Sequence, residues 1–131
     1  MYRIIQMKQF GDERGRLTAI ENQKDIPFDI KRIFYIYDVE EGQSRGNHAN
    51  RNSQFVLICI AGTCKIEIDM GEKKDIVLLD TPTKGLYLNR NIWKKMYDFS
   101  KGAGLLVLSD SEYMESDYIY DYEDYLRGIS N

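Results

Sequence analysis

The chain carries a single histidine, His48, in the stretch Arg45-Gly46-Asn47-His48-Ala49-Asn50-Arg51-Asn52-Ser53-Gln54. Imidazole is the one side chain whose unperturbed pKa, about 6.5, lies near neutrality, which makes His48 the first candidate for a general base. If this stretch is a strand, the period of two puts His48, Asn50, Asn52 and Gln54 on one face. Facing outward, that row is an ordinary solvated edge. Facing inward, an imidazole and three amides are costly unless they line a wet pocket. The next run, Phe55-Val56-Leu57-Ile58-Cys59-Ile60, is apolar on both faces and therefore interior. A polar strand feeding straight into a buried one favours the pocket.

The elements that must hold such a pocket read as β throughout. Apolar and β-branched runs at 2–7, 17–21, 30–38, 54–60, 64–69, 74–79, 85–88, 92–99 and 104–109 are punctuated by Gly, Asp, Asn and Pro. Residues 64–69 alternate cleanly, one face apolar and one polar. Only the last stretch, 115–129, has room for a short helix, and its Tyr118, Tyr120, Tyr122 and Tyr125 spread around it rather than lining one face. About nine short strands in 131 residues predict one all-β domain, a jelly roll whose open mouth takes the ligand. Cys59 and Cys64 flank a turn and match no CxxC pattern, so buried free thiols are expected.

Composition excludes other classes. The chain has 18 Lys+Arg against 21 Asp+Glu, a net charge of −3, which argues against a nucleic-acid or anionic-membrane binder. No apolar run reaches the roughly 20 residues of a membrane span, and the first residues lack a signal-type apolar region. A cytoplasmic protein is expected. Small anionic ligands stay open, because a few converging arginines build a positive pocket on an acidic protein.

Gly46-x-His48-x-Asn50-x-x-x-Gln54, closed by Gly62, resembles the first cupin motif, with Asn50 at the second histidine position and Gln54 at the glutamate position. Amides are poor transition-metal ligands and no second histidine exists, so no metal and no cofactor are expected. A longer pattern is more specific. Residues 12–21, Ile26-Pro27-Phe28, residues 31–38, Arg45-Gly46-x-His48-Ala49, Gly85-Leu86-Tyr87, Trp93 and Tyr113-x-Glu115-x-Asp117-Tyr118-Ile119 together resemble the sugar nucleotide 3,4-ketoisomerase family. The resemblance implies a metal-free cupin homodimer with exchanged N-terminal strands. It also implies a substrate, dTDP-4-keto-6-deoxyglucose, whose carbonyl moves from C4 to C3 on the way to amino sugars of surface polysaccharides.

That reaction removes the proton at C3, passes through an enediol and returns a proton at C4. His48 is the expected base. Tyr35 and Tyr37, two apart on a strand, share a face and are candidates to shuttle a proton or hold the oxyanion. Arg14, Arg32 and Arg45 lie inside the family-like segments and suit a diphosphate. Trp93, Tyr87 and Tyr35 are candidates to stack on the base or sugar ring, and Gln54 joins the substrate-binding set. Arg16 occupies a position that varies with the C4 epimer formed, and Lys94 stands where family members commonly carry histidine or arginine. The family pattern has a second relay histidine where this chain has Asn50, which can only hydrogen-bond. Two classes therefore stay open: an isomerase, and a catalytically weak or silent cupin that binds a dTDP-sugar.

Overall fold

The computed structural model describes residues 1–130. Two five-stranded antiparallel sheets face each other as a jelly roll, and each is interleaved in chain order. The first runs β1 (Tyr2–Gln6), β9 (Lys84–Leu88), β6 (Phe55–Ala61), β11 (Gly104–Ser109), β4 (Arg32–Tyr37). The second runs β12 (Tyr118–Ile119), β5 (Arg45–Asn50), β10 (Trp93–Tyr97), β7 (Cys64–Asp69), β8 (Lys74–Leu79). A separate hairpin joins β2 (Phe10–Asp12) to β3 (Gly15–Leu17), and α1 (Tyr122–Ser130) closes the chain.

The core between the sheets follows from strand alternation. Phe55, Leu57 and Cys59 of β6 point inward against Ile66 and Ile68 of β7, Leu86 and Leu88 of β9, and Leu105 and Val107 of β11. Val56 and Ile58 point the other way, into a second cluster formed by Met7, Ile26, Phe28 and Leu108. A loop crossing the outer face thus makes β6 apolar on both sides. Each fully buried Leu or Ile contributes about 1.5–3 kcal/mol, which pins the register because a one-residue slip would expose the whole row. Cys59 and Cys64 are buried and free.

Two expectations about elements need correction, and a third is narrowed. The strand at 17–21 is β3, ending at Leu17; beyond it the chain leaves the hairpin and lays Ile20 against the second cluster. The stretch 115–129 does hold a short helix, in its second half. A 3₁₀ turn (Glu115–Asp117) and β12 come first, and α1 begins at Tyr122, where Asp121 Oδ1 accepts the Asp124 N–H at 3.1 Å. The row His48–Gln54 is not one face either, since β5 stops at Asn50 and the chain bends at Arg51 and Asn52.

Candidate active site

A cavity of about 510 Å³ opens between the sheets, and His48 is in its wall with Arg32, Arg45, Lys94, Phe55 and Tyr118. A β-bulge aims the histidine. Pairing between β5 and β10 places Lys94 opposite His48, then shifts so that Lys95 faces Gly46. Gly46 and Asn47 absorb the extra residue in left-handed backbone, at φ 87° and 59°. Glycine is required at 46, because a Cβ there would lie 3.0 Å from the Lys94 carbonyl oxygen.

The imidazole is half-buried, with its ring centroid 4.8 Å from that of Tyr118 and 5.9 Å from that of Tyr120. Its Nδ1 is buried with no hydrogen-bond partner. Burial, reinforced by the positive charge of Lys94, lowers its pKa to about 4, so the ring is neutral at pH 7. A neutral imidazole has one ring nitrogen with a free lone pair, so it can accept a proton at working pH. Arg32 Nη2 donates to Tyr118 Oη at 3.1 Å and its guanidinium lies 4.7 Å over the Phe34 ring. That leaves the Tyr118 hydroxyl proton to donate elsewhere.

Behind His48 lies a buried polar network. Asn50, 2% exposed, donates from Nδ2 to Asp117 Oδ2 at 2.9 Å and accepts from Lys94 Nζ at 3.0 Å. The Asp117 carboxylate also accepts the Asn52 N–H at 2.6 Å and the Ser53 hydroxyl at 2.5 Å. Burial pushes the Asp117 pKa up, but the hydrogen bonds and the Lys94 charge outweigh it, and the net shift is downward. Asp117 thereby ties the turn before β12 to the end of β5 and fixes one side of the cavity.

The structure brings His48, Arg32, Arg45 and Lys94 together and disperses the other candidates. Tyr35 and Tyr37 do share a face, but it is the outer one, since Arg32, Phe34 and Ile36 take the inward positions; Tyr35 reaches only the cavity's edge. Asn50 is a bridge in the wall rather than a lining side chain. Gln54 lies on the far side of the bend, where it donates to Asp110 Oδ2 at 2.8 Å and accepts from the Tyr87 hydroxyl. Tyr87 itself is on the outer face, beneath Arg3 and beside Phe28. Trp93 alternates outward from Lys94 and packs on Tyr122 and Tyr125 at 5.1 and 5.7 Å, which seats α1. Arg14 is exposed and paired with Asp12 at 2.7 Å, and Arg16 donates to the Asp12 carbonyl, so both belong to the β2–β3 hairpin and not to this cavity.

Sequence reasoning missed Asp117 and the tyrosine wall of Tyr113, Tyr118 and Tyr120 as site residues. The signal was present: Tyr113-x-Glu115-x-Asp117-Tyr118 is part of the family-like pattern. What the pattern does not show is that β12 lies along β5, with Tyr118 opposite Asn50, because that pairing joins segments far apart in sequence. Among the described residues no three His, Cys, Asp or Glu side chains gather as a metal site. No helix there is long and apolar enough to cross a membrane.

A cupin barrel whose cavity wall holds a lone neutral imidazole beside arginines carries the groups with which a protein can do acid–base work on an anionic small molecule. Comparison with known proteins narrows that chemistry. The family model described as "FdtA: WxcM-like, C-terminal" matches residues 1–130. The TDP-4-oxo-6-deoxy-α-D-glucose 3,4-oxoisomerase of Aneurinibacillus thermoaerophilus is 39% identical over 128 residues, 98% of this chain and 92% of that one. A 3,4-ketoisomerase from Helicobacter canadensis superposes with a TM-score of 0.96 at 42% identity, covering 99% and 98% of the two chains. A histidine-to-asparagine variant of the 3,4-ketoisomerase QdtA from Thermoanaerobacterium thermosaccharolyticum, in complex with TDP-4-keto-6-deoxyglucose, superposes at 0.95 with 39% identity, covering 97% and 92%. The chain belongs to the sugar nucleotide 3,4-ketoisomerase family, a family of isomerases.

Proposed function

We propose that this protein moves the carbonyl of dTDP-4-keto-6-deoxyglucose from C4 to C3, with His48 as the base that acts on carbon. The observation that carries the reading is the His48 imidazole: the chain's one histidine, in the cavity wall, neutral at pH 7, with a buried Nδ1 that no protein group satisfies. In this reading the imidazole takes the C3 proton, the electron pair runs into the C4 carbonyl to give an enediolate, the hydroxyl proton passes from O3 to O4, and the same imidazole returns a proton at C4. One base serving both carbons explains how a chain without a second histidine performs the reaction. The diphosphate falls to Arg32 and Arg45, both in the cavity wall. TDP and TDP-sugar ligands named for the relatives support that assignment.

The reading includes a homodimer with exchanged N-terminal strands, working in the cytoplasm where nucleotide sugars are made. Two features support the pairing. The outer face of β4 exposes Ile33, Tyr35 and Tyr37, and the hairpin exposes Phe10 and Leu17 directly across from each other. An apolar face of this kind marks an interaction surface. Sedimentation at micromolar concentration should return twice the chain mass.

The decisive experiment is incubation with dTDP-4-keto-6-deoxyglucose in D₂O, followed by NMR at C3 and C4. A 3-keto product is the expected result, with deuterium at C4 only to the extent that the imidazolium exchanges with solvent before returning its proton. Tight TDP binding with neither product nor exchange at either carbon would reduce the protein to a silent nucleotide-sugar binder.

A further inference from the structure

We propose that Lys94 is the second proton carrier of the reaction, moving the hydroxyl proton between O4 and O3 while His48 moves the carbon-bound proton from C3 to C4. The inference rests on the isomerase reading and assigns to Lys94 the acid–base work that Asn50 cannot do.

The placement of this lysine is unlike that of a structural one. Lys94 is 4% exposed yet lines the same cavity as His48, directly across the β5–β10 pair from it. Buried lysines are ordinarily paired with a carboxylate. Here the nearest buried carboxylate, Asp117, is reached only through the amide of Asn50, and the two form no ion pair. Nζ donates to Asn50 Oδ1 at 3.0 Å and lies 4.5 Å over the Phe55 ring. An ammonium has three N–H donors, so two remain without a protein acceptor among the described residues. Substrate hydroxyl and carbonyl oxygens are acceptors of the right kind.

The surroundings favour an amine that gives up its proton. From β6 and β7 the facing side chains are Phe55 and Ile68, both apolar; the charged or titratable groups that face it are His48 from β5, Asp117 from the 3₁₀ turn, Arg32 across the cavity and Tyr118 beside His48. Burial lowers the Lys94 pKa to about 7, with Asp117 pulling weakly the other way. Ammonium and amine are therefore both populated at neutrality. Buried and desolvated, lysine is well suited to proton transfer in a way that exposed lysine is not.

The chemistry balances without any further reactant. As His48 withdraws the C3 proton, the Lys94 ammonium gives a proton to the C4 carbonyl oxygen, and a neutral enediol forms. The Lys94 amine then takes the proton from the C3 hydroxyl as C3=O forms, and the imidazolium returns its proton to C4. Both side chains end as they began, and no electrons leave the sugar.

Two measurements test this. In the ligand-free protein, ¹⁵Nζ NMR, with Lys94→Arg to assign the resonance, should show one lysine titrating near pH 7; a Lys94 amine that stays charged to about pH 10, the ordinary lysine range, overturns the proposal. In turnover, wild-type kcat should inflect near pH 7. Lys94→Arg and Lys94→Met should each lose about 100-fold in isomerisation, the scale of one general acid–base group, and lose the inflection, with TDP affinity by calorimetry nearly unchanged. Wild-type-like kcat with the inflection retained in both variants also overturns it. A wild-type protein that binds TDP but neither isomerises nor exchanges instead overturns the isomerase reading, and this one with it.

Discussion

The barrel interior has a wet side and a dry side, and β6 runs between them. Phe55 and Leu57 floor the cavity, whereas Cys59, two residues on, is sealed against Cys64, Leu105 and Leu79 with nothing polar but two thiols. On the dry side each polar atom is answered: Cys59 Sγ donates to the Ala61 carbonyl at 3.2 Å, and the neighbouring Cys59 thiol, together with burial, pushes the Cys64 thiol far up. On the wet side a full hydrogen-bond network runs from Ser53 and Asn52 through Asp117 and Asn50 to Lys94, then stops short of the His48 Nδ1. Protein interiors tolerate buried polar groups when they are paired. The unpaired imidazole nitrogen at the edge of an otherwise satisfied network sets His48 apart from the paired groups behind it.

The strongest way to break this contrast is to remove the unpaired group. His48→Ala should lower isomerisation by about 10²–10⁴-fold while the circular dichroism spectrum is retained. In the wild type, the acid limb of kcat/KM should inflect near pH 4 rather than 6.5, because the folded imidazole resists protonation. Stability has the same sign. The unfolded chain takes up a proton near pH 6.5 that the folded chain refuses until about 4, so the His48 contribution is present above 6.5 and is lost as pH falls through that window.

Next in size is the network itself. Asp117→Ala strips Asn50, Asn52 and Ser53 of their common acceptor. Urea unfolding should show a loss of about 1–3 kcal/mol for each buried donor left unsatisfied, and a wild-type midpoint would refute the account of the wall. Arg32→Ala should weaken TDP binding by about 1.5–3 kcal/mol, the scale of a charged hydrogen bond, with melting nearly unchanged; calorimetry reads this directly. The smallest effect belongs to the dry side. Cys64→Ser places a hydroxyl among apolar neighbours and should cost about 1–3 kcal/mol of stability with TDP affinity intact, whereas an affinity change there would mean the two sides are coupled.

Asn50 shows how a spacing rule reads one property well and another not at all. Its relation to His48 along β5 was legible, and so was its inability to carry a proton. That it would bridge Asp117 to Lys94 was not, because Asp117 is 67 residues away and reaches it only when β12 pairs with β5. On this geometry Asn50→His removes a bridge instead of restoring a relay, and no gain in turnover is expected from it. Trp93 and Lys94 make the same point in adjacent positions. Alternation says that they face opposite ways, but only the docking of α1 on Trp93, through Tyr122 and Tyr125, says which of them is inside.

From the amino-acid order alone came the strand periods, the turn positions, the buried thiols, and a histidine set among arginines in a family-like pattern. Those are local properties: a period of two, a glycine at a turn and a side-chain pKa are all fixed by a residue and its near neighbours. The closed barrel chose which face of each strand became interior. It sent Tyr35, Tyr37 and Tyr87 out, turned Lys94 in, and drew Asp117 and Tyr118 from the far end of the chain to complete the wall around His48. Facing is a property of the sheet that covers a strand, and that sheet is assembled from segments far apart in sequence.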